Sequence, residues 1–488
     1  MIVEPSDADA SVKLQKAETE FGNTVKSLDE RKTKWFPMWI IIGMQFVGGI
    51  QMSVYYMSMW PYLSGLDKTA DMGFLGWVVA ACNLGCCLTS PLFGYWNQKT
   101  LSCKWPTIAG LFVAAAGQVM YALISKVEQY GKWYMLAARV ITGFGVGNTA
   151  AMRAYAATAS TPDDRLKAIS YGIASSVLGI SFGPVISAAF TPLGEKGFDL
   201  GMVNINMYTA VAYLMAFSCL ASAFVMYMFF TEHYAGIVEK ETVDEKTNTT
   251  TIVPKYDMIP ALICIYLNMM CTMMATIIEV MSTPLTTVMY DWKDSESISY
   301  NGILEFLACI ISVLVNLSFG KSWIGNWDRR LQIMCGLGVF AAFNLINYPW
   351  WFYTGPLNFL PPGANTTEIG GCLHSYTWCK YTTRIPLYLY IFAFVFLFGI
   401  SFPFVEAPAS ALYSEILGPR KQGNMQGWFN VGGNITPFLA AIICTYLFQH
   451  VGYKYVILFQ SATLFTAFLL VILFTNVWSL SSWRRGLM

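Results

Sequence analysis

Six charged side chains sit in, or at the edge of, stretches otherwise built of apolar residues, and they are the groups best able to do chemistry. Arg139 and Arg153 lie in the run RVITGFGVGNTAAMRAY; Glu279, Glu305 and Glu406 lie in later apolar runs, and Glu415 is near the end of one. A charge at the bilayer centre costs about 2.5–3.5 kcal/mol on insertion scales, so such residues generally face a pathway, a cavity or a partner. Arginine cannot escape the cost by losing its proton. A carboxylate can, which makes it a proton carrier as well as a counter-ion. The chemistry this pattern offers is the binding and passage of small ions or solutes.

Covalent chemistry finds no support. GISFG (179–183) has the form of a nucleophile elbow, but that motif needs a strand–turn–helix setting, and here it lies in an apolar helical run. His233, His374 and His450 fall in loops or at the end of an apolar run, and no zinc spacing, phosphate loop or H-E-x-x-H occurs. No enzyme, metal or cofactor is expected, and no basic patch points to nucleic acid.

The elements that must position the charges are membrane helices. Hydrophobic residues make up 55% of the 488 positions and charged residues only 12%, too few to cover a soluble protein of this size. Apolar runs of about 20 residues recur along the chain, which predicts an all-α polytopic membrane protein. Twelve spans are expected at 35–58, 73–96, 105–125, 133–158, 168–190, 206–230, 258–281, 298–319, 330–349, 386–410, 424–448 and 454–478. Residues 1–34 are polar and lack an apolar h-region behind a basic n-region, so they read as a cytosolic tail and not a cleaved leader.

Residues 232–257 read as a flexible cytosolic linker between two six-helix halves, 35–231 and 258–478, followed by a tail at 479–488. With the N-terminus inside, 20 of the 30 basic residues fall on the cytosolic side, 8 on the other, and the remaining two are Arg139 and Arg153. That bias places both termini in the cytosol and a large loop, 350–385, on the opposite side. Two such halves, with a path between them, are the layout of a transporter.

Depth suggests a pairing. Arg139 is about 9 Å into the fourth span at 1.5 Å per residue, and Arg153 would lie within about 40° of the same helical face. Glu279 and Glu305 fall at a similar depth to Arg139, while the first six spans contain no acid. Arg139 is therefore expected to face these carboxylates across the path, as a gate opened by an anion or a proton. The alternative keeps Arg139 on helix ends within its own half and lets Arg153 snorkel to the surface. The gate implies that neutralising Arg139 and Glu279 together is milder than either change alone.

Other motifs are structural. Gly143, Gly145 and Gly147, and Gly179 and Gly183, have the spacing that lets membrane helices approach closely, and Pro184 loosens the helix after the second pair. Cys372 and Cys379 stand together in the large loop, where a disulfide and two free thiols are both open readings. Asn365 opens an NTT glycosylation acceptor in the same loop; the NTT at 248–250 faces the cytosol. Tyr234 (YAGI) and Tyr256 (YDMI) have the form of tyrosine sorting signals for adaptor proteins.

RVITGFGVG resembles the span-four arginine–glycine motif of the major facilitator superfamily, and GISFGP resembles its span-five Gly-Pro motif. In GYWNQKTLSCK, Gln98 stands where that family commonly has an aspartate, so its usual conformational latch is altered. MSMWPYLSGLDKTADMGFLGWVVA, FTPLGEKG, TPLTTVMYDW and LYSEILGPRKQGNMQGW are similar to a lysosomal branch of the superfamily linked to neuronal ceroid lipofuscinosis. The resemblance implies an endolysosomal membrane protein linked to chloride conductance and ion balance, with Arg139, Arg153 and Glu279 at the family's charged positions. Three functions stay open: an anion pathway, a proton-coupled carrier of an organic solute, and a membrane scaffold or sensor that moves nothing.

Overall fold

The computed structural model describes residues 31–55, 58–67, 72–127, 130–194, 197–199, 204–237, 256–361, 370–374 and 376–473. Asn365, the tails and linker residues 238–255 lie outside them. Fifteen α-helices follow in chain order: α1 Trp35–Ser53, α2 Met59–Leu66, α3 Met72–Thr100, α4 Lys104–Leu123, α5 Gly131–Val146, α6 Thr149–Ala159, α7 Arg165–Ala189, α8 Thr209–Phe229, α9 Met258–Tyr290, α10 Asp294–Lys321, α11 Arg329–Asn347, α12 Leu387–Phe392, α13 Gly399–Leu417, α14 Gly423–His450 and α15 Tyr453–Leu473. A π-helical turn, Ala393–Phe398, joins α12 to α13 in one span. A two-residue hairpin, β1 Phe198–Asp199 against β2 Asn204–Ile205, precedes α8.

Among the described residues eleven helices are long and apolar enough to cross a membrane. The fourth span, expected as one helix over 133–158, is instead broken into α5 and α6. The break is a tight turn in which the Asn148 and Ala150 amides donate three residues back, to the Gly145 and Gly147 carbonyls. The displaced Phe144 carbonyl accepts the Thr89 hydroxyl at 3.0 Å, so it is not left bare in an apolar setting.

Lipid gives helices no hydrophobic reason to associate, so close backbone approach has to hold them. In α5, an added Cβ at Gly143 would fall on the Cys82 carbonyl of α3, one at Gly145 on the backbone of α4, and one at Gly147 on Thr89. In α7, Gly179 and Gly183 lie against Phe46, Gly49 and Ser53 of α1 in the same way. Pro184 has no N–H to give the Ile180 carbonyl, and Ser53 Oγ donates to that carbonyl at 2.8 Å. Gly183 makes room for that serine.

Two apolar clusters belong to α1–α8 and one large cluster to α9–α15. A small fourth cluster joins the halves through Leu166, Ile173, Phe319, Ala407 and Ala411. We refer to the side carrying residues 231–237 as the linker face and the opposite side as the loop face.

The start of the linker is packed, contrary to its reading as flexible. Glu232 Oε1 accepts from Ser102 Oγ at 2.7 Å and from the Cys103 and Lys104 amides at 2.9 and 2.8 Å, capping the positive end of α4. Ala235 and Ile237 are buried, Gly236 N donates to the Thr158 carbonyl, and Tyr234 packs edge-on against Tyr155. Tyr256 contacts Met425 and lies under Arg420 at the mouth of α9. Both tyrosines are thus packed against the body of the protein. On the loop face Cys372 and Cys379 form a disulfide, and Arg384 pairs with Asp291 at 2.8 Å.

Removing the Ser53 hydroxyl orphans the Ile180 carbonyl. Ser53→Ala is expected to lower stability by about 1 kcal/mol, and Gly183→Val by about 1–3 kcal/mol through overpacking. Unfolding midpoints of the detergent-purified protein check both.

Candidate functional site

The broken fourth span sends its two arginines to different places. Carried along an unbroken helix they would share a face; each 3₁₀ residue turns about 120° instead of about 100°, so the turn at 146–149 rotates α6 relative to α5.

Arg153, on α6, crosses to the second half. Its Nη2 lies 3.4 Å from Oε1 of Glu406 on α13, and its guanidinium stands 5.8 Å from the Phe429 ring centroid. Glu406 is buried. Beside this pair, Asn430 of α14 donates through Nδ2 to Ser90 Oγ at 2.8 Å and to Thr149 Oγ1 at 2.9 Å. Thr149 is the first residue of α6, so the second half braces the break directly. Nearer the linker face, Gln98 Oε1 accepts the Asn424 backbone N–H at 2.8 Å in the first turn of α14. Gln98 therefore occupies a latch position with a neutral amide, while Gly94 and Gly423 let the two backbones meet. Glu415 pairs with Arg329 within the second half. Among the described residues, the Arg153–Glu406 pair and the Asn430 and Gln98 bonds between the halves lie toward the linker face.

Arg139 points into the first half. It is 2% exposed, its Nε and Nη1 have no hydrogen-bond partner among the described residues, and its guanidinium lies 5.4 Å from the Tyr55 ring centroid. Tyr121 and Cys82 are within its electrostatic reach. The Tyr55 hydroxyl donates to Gln118 Oε1, which leaves the Gln118 amide nitrogen unpaired.

Glu279 and Glu305 come together without Arg139. The turn between α9 and α10 sets the register: Thr287 Oγ1 is 2.9 Å from Ser297 Oγ, and Asn301 donates to Thr286 at 2.8 Å. Two turns farther along this hairpin, Glu279 faces Glu305, each within electrostatic reach of the other. Cys309, one turn beyond Glu305, approaches Ser181 of α7 in the first half. By surface area Glu279 is exposed and Glu305 half-buried. The expected gate between Arg139 and these carboxylates is thus not formed. Sequence spacing supplied depth but not the rotation of α5 toward its own bundle. Asn430, Ser90, Thr149 and Glu232 escaped the sequence reading, since single neutral polar residues in spans and one acid in a charged linker carry no distinctive pattern.

The model of the Major Facilitator Superfamily matches residues 41–361. The chain belongs to the major facilitator superfamily. As a member of it, this protein is a multi-pass membrane transporter. It is 29% identical over 474 residues, 90% of each chain, to Major facilitator superfamily domain-containing protein 8 of Xenopus laevis. Three superfamily transporters of known structure share the fold. The human organic anion transporter MFSD10 (TETRAN) has a TM-score of 0.61 at 13% identity, over 89% of this chain and 98% of that one. A bacterial homologue of the iron transporter ferroportin, in an outward-facing state with soaked iron, scores 0.62 at 12% identity, over 90% and 99%. The proton:xylose symporter XylE scores 0.59 at 13% identity, over 91% and 95%.

The geometry separates two pairs. In a double-mutant cycle, Arg153→Gln and Glu406→Gln are expected to couple by about 1–2 kcal/mol, less than a fully buried pair because Arg153 is partly exposed. Arg139→Gln and Glu279→Gln are expected to add within about 0.5 kcal/mol. Thermal stability and transport rate of the four single and two double variants measure both.

Proposed function

We propose that this transporter carries a small anion, chloride in the first instance, across an endolysosomal membrane and contributes to ion balance there. One observation carries the anion reading: a buried guanidinium with unpaired donors, in a half whose spans hold no acid. A permanent charge in that position is stabilised when an anion reaches it. The human organic anion transporter among its structural neighbours is compatible with that chemistry. The lysosomal assignment rests on the similarity to Major facilitator superfamily domain-containing protein 8.

The excess of basic residues makes the linker face cytosolic and the loop face luminal. In that orientation the Arg153–Glu406 pair, the Asn430 cluster and the Gln98 latch close the cytosolic end of the path. Glu279 and Glu305 lie on its luminal side. Breaking those bonds while the loop-face ends close gives the opposite state, which is alternating access between two halves.

A second reading has its own observation. Two carboxylates facing each other within the spans are a place to take up a proton, so the acid pair favours proton-coupled movement of an organic solute. Chloride flux into proteoliposomes, with and without a pH gradient, decides between them. The expected result is flux that follows the chloride gradient and falls about tenfold or more in Arg139→Gln, equivalent to about 1.4 kcal/mol. Absence of chloride flux in both proteins, with solute uptake driven by pH, transfers the function to the second reading. Absence of any flux leaves a scaffold or sensor.

A further inference from the structure

The surroundings of Arg139 specify more than the sign of a ligand. Five buried donors from three helices have no acceptor among the described residues: Arg139 Nε and Nη1 on α5, Gln118 Nε2 and Tyr121 Oη on α4, and Gln51 Nε2 on α1. The side chains are tied to one another. Gln118 is bonded to Tyr55, which stands over Arg139; Gln51 lies one turn before Tyr55 on α1, and its Oε1 accepts from Cys219 Sγ at 3.9 Å. The Tyr55 and Tyr121 rings meet at 4.7 Å. Toward the loop face, Tyr62 stacks on Tyr208 at 4.9 Å and touches Tyr121 at 5.5 Å, forming a roof. Gln51, Gln118, Tyr121 and Arg139 are each at least 96% buried.

Buried donors without partners cost free energy, and several of them around one cation define a place for an acceptor that carries negative charge. We propose that this box is an occluded anion site selective for weakly hydrated monovalent anions. The inference rests on the anion reading above and adds the class of ion. One guanidinium balances one negative charge, so sulfate or hydrogen phosphate would bring an uncompensated charge into a low-dielectric setting. Neutral amide and phenol donors with aromatic walls replace hydration water only in part. The ion that surrenders its water most cheaply therefore binds best. The expected order is thiocyanate and iodide, then bromide, then chloride, with fluoride and sulfate last.

The test uses the full-length protein in detergent with gluconate as the background anion. Unfolding midpoints are titrated with each sodium salt at constant ionic strength. Thiocyanate and iodide are expected to raise the midpoint saturably, at concentrations about tenfold lower than chloride. Fluoride and sulfate should match gluconate. Arg139→Gln should lose the saturable rise while keeping its fold, because it removes an unpaired charge. Gln118→Leu, which leaves the arginine in place, should shift every binding curve to concentrations several-fold higher. The same rise in Arg139→Gln as in the unmodified protein would overturn the site. A best fit for fluoride or sulfate would overturn the selectivity and leave the anion reading standing. No rise with any anion, in protein that still moves chloride, would also overturn the site. Loss of both binding and flux would remove the anion reading itself.

Discussion

An arginine keeps its charge wherever it is put, and a bilayer charges heavily for that. Two arginines in one span therefore require two solutions, and the rest of this fold is arranged to supply them. Arg153 has a carboxylate brought to it from the other half of the molecule. Arg139 has the face of Tyr55 and a ring of donors, with no carboxylate. The first solution is lost when the halves separate. The second is independent of the other half, and under the proposed anion reading a bound anion completes it. In the proposed cycle, opening the linker-face end, where Arg153 gives up Glu406, is linked to a first half that keeps its own buried arginine.

The backbone break at 146–149 makes the two solutions compatible. Close packing of Gly143, Gly145 and Gly147 on α3 and α4 fixes α5, and the tight turn then rotates α6 toward the second half. Two carbonyls the fold disturbs have a hydroxyl donor, Thr89 at Phe144 and Ser53 at Ile180. In water such carbonyls would find solvent; in lipid these side chains are what makes the irregular backbone tolerable. The glycines and the hydroxyls thus act together, since the first allow an approach that brings the second into reach.

Much of this was legible in the sequence, for reasons that can be stated. Length and hydropathy expose membrane spans directly, because the bilayer sets their length. The charged residues within the spans also stood out, because charge is rare in such runs. Partnership was not legible. Glu279 and Glu305 were assigned to Arg139 on depth alone, whereas a three-residue turn between α9 and α10 brings them to each other. Arg153 and Glu406 were each singled out but not joined, since nothing in their spacing tells which faces of α6 and α13 meet. The span boundaries hid the break in the fourth span because every residue around it is small or apolar, and glycine signals close packing and a bend equally well.

The altered latch bears on how readily the two halves part. A carboxylate at the first turn of α14 would add its charge to the positive helix end, an effect of about 0.3–1 kcal/mol at an exposed site. Gln98 keeps the hydrogen bond to Asn424 and gives up that charge. Closure of the linker face then rests more on Arg153 with Glu406 and on Asn430 than on Gln98 at the end of α3. Both of those contacts lie at the break, so the segment that carries the arginines is also the segment that holds the closed state.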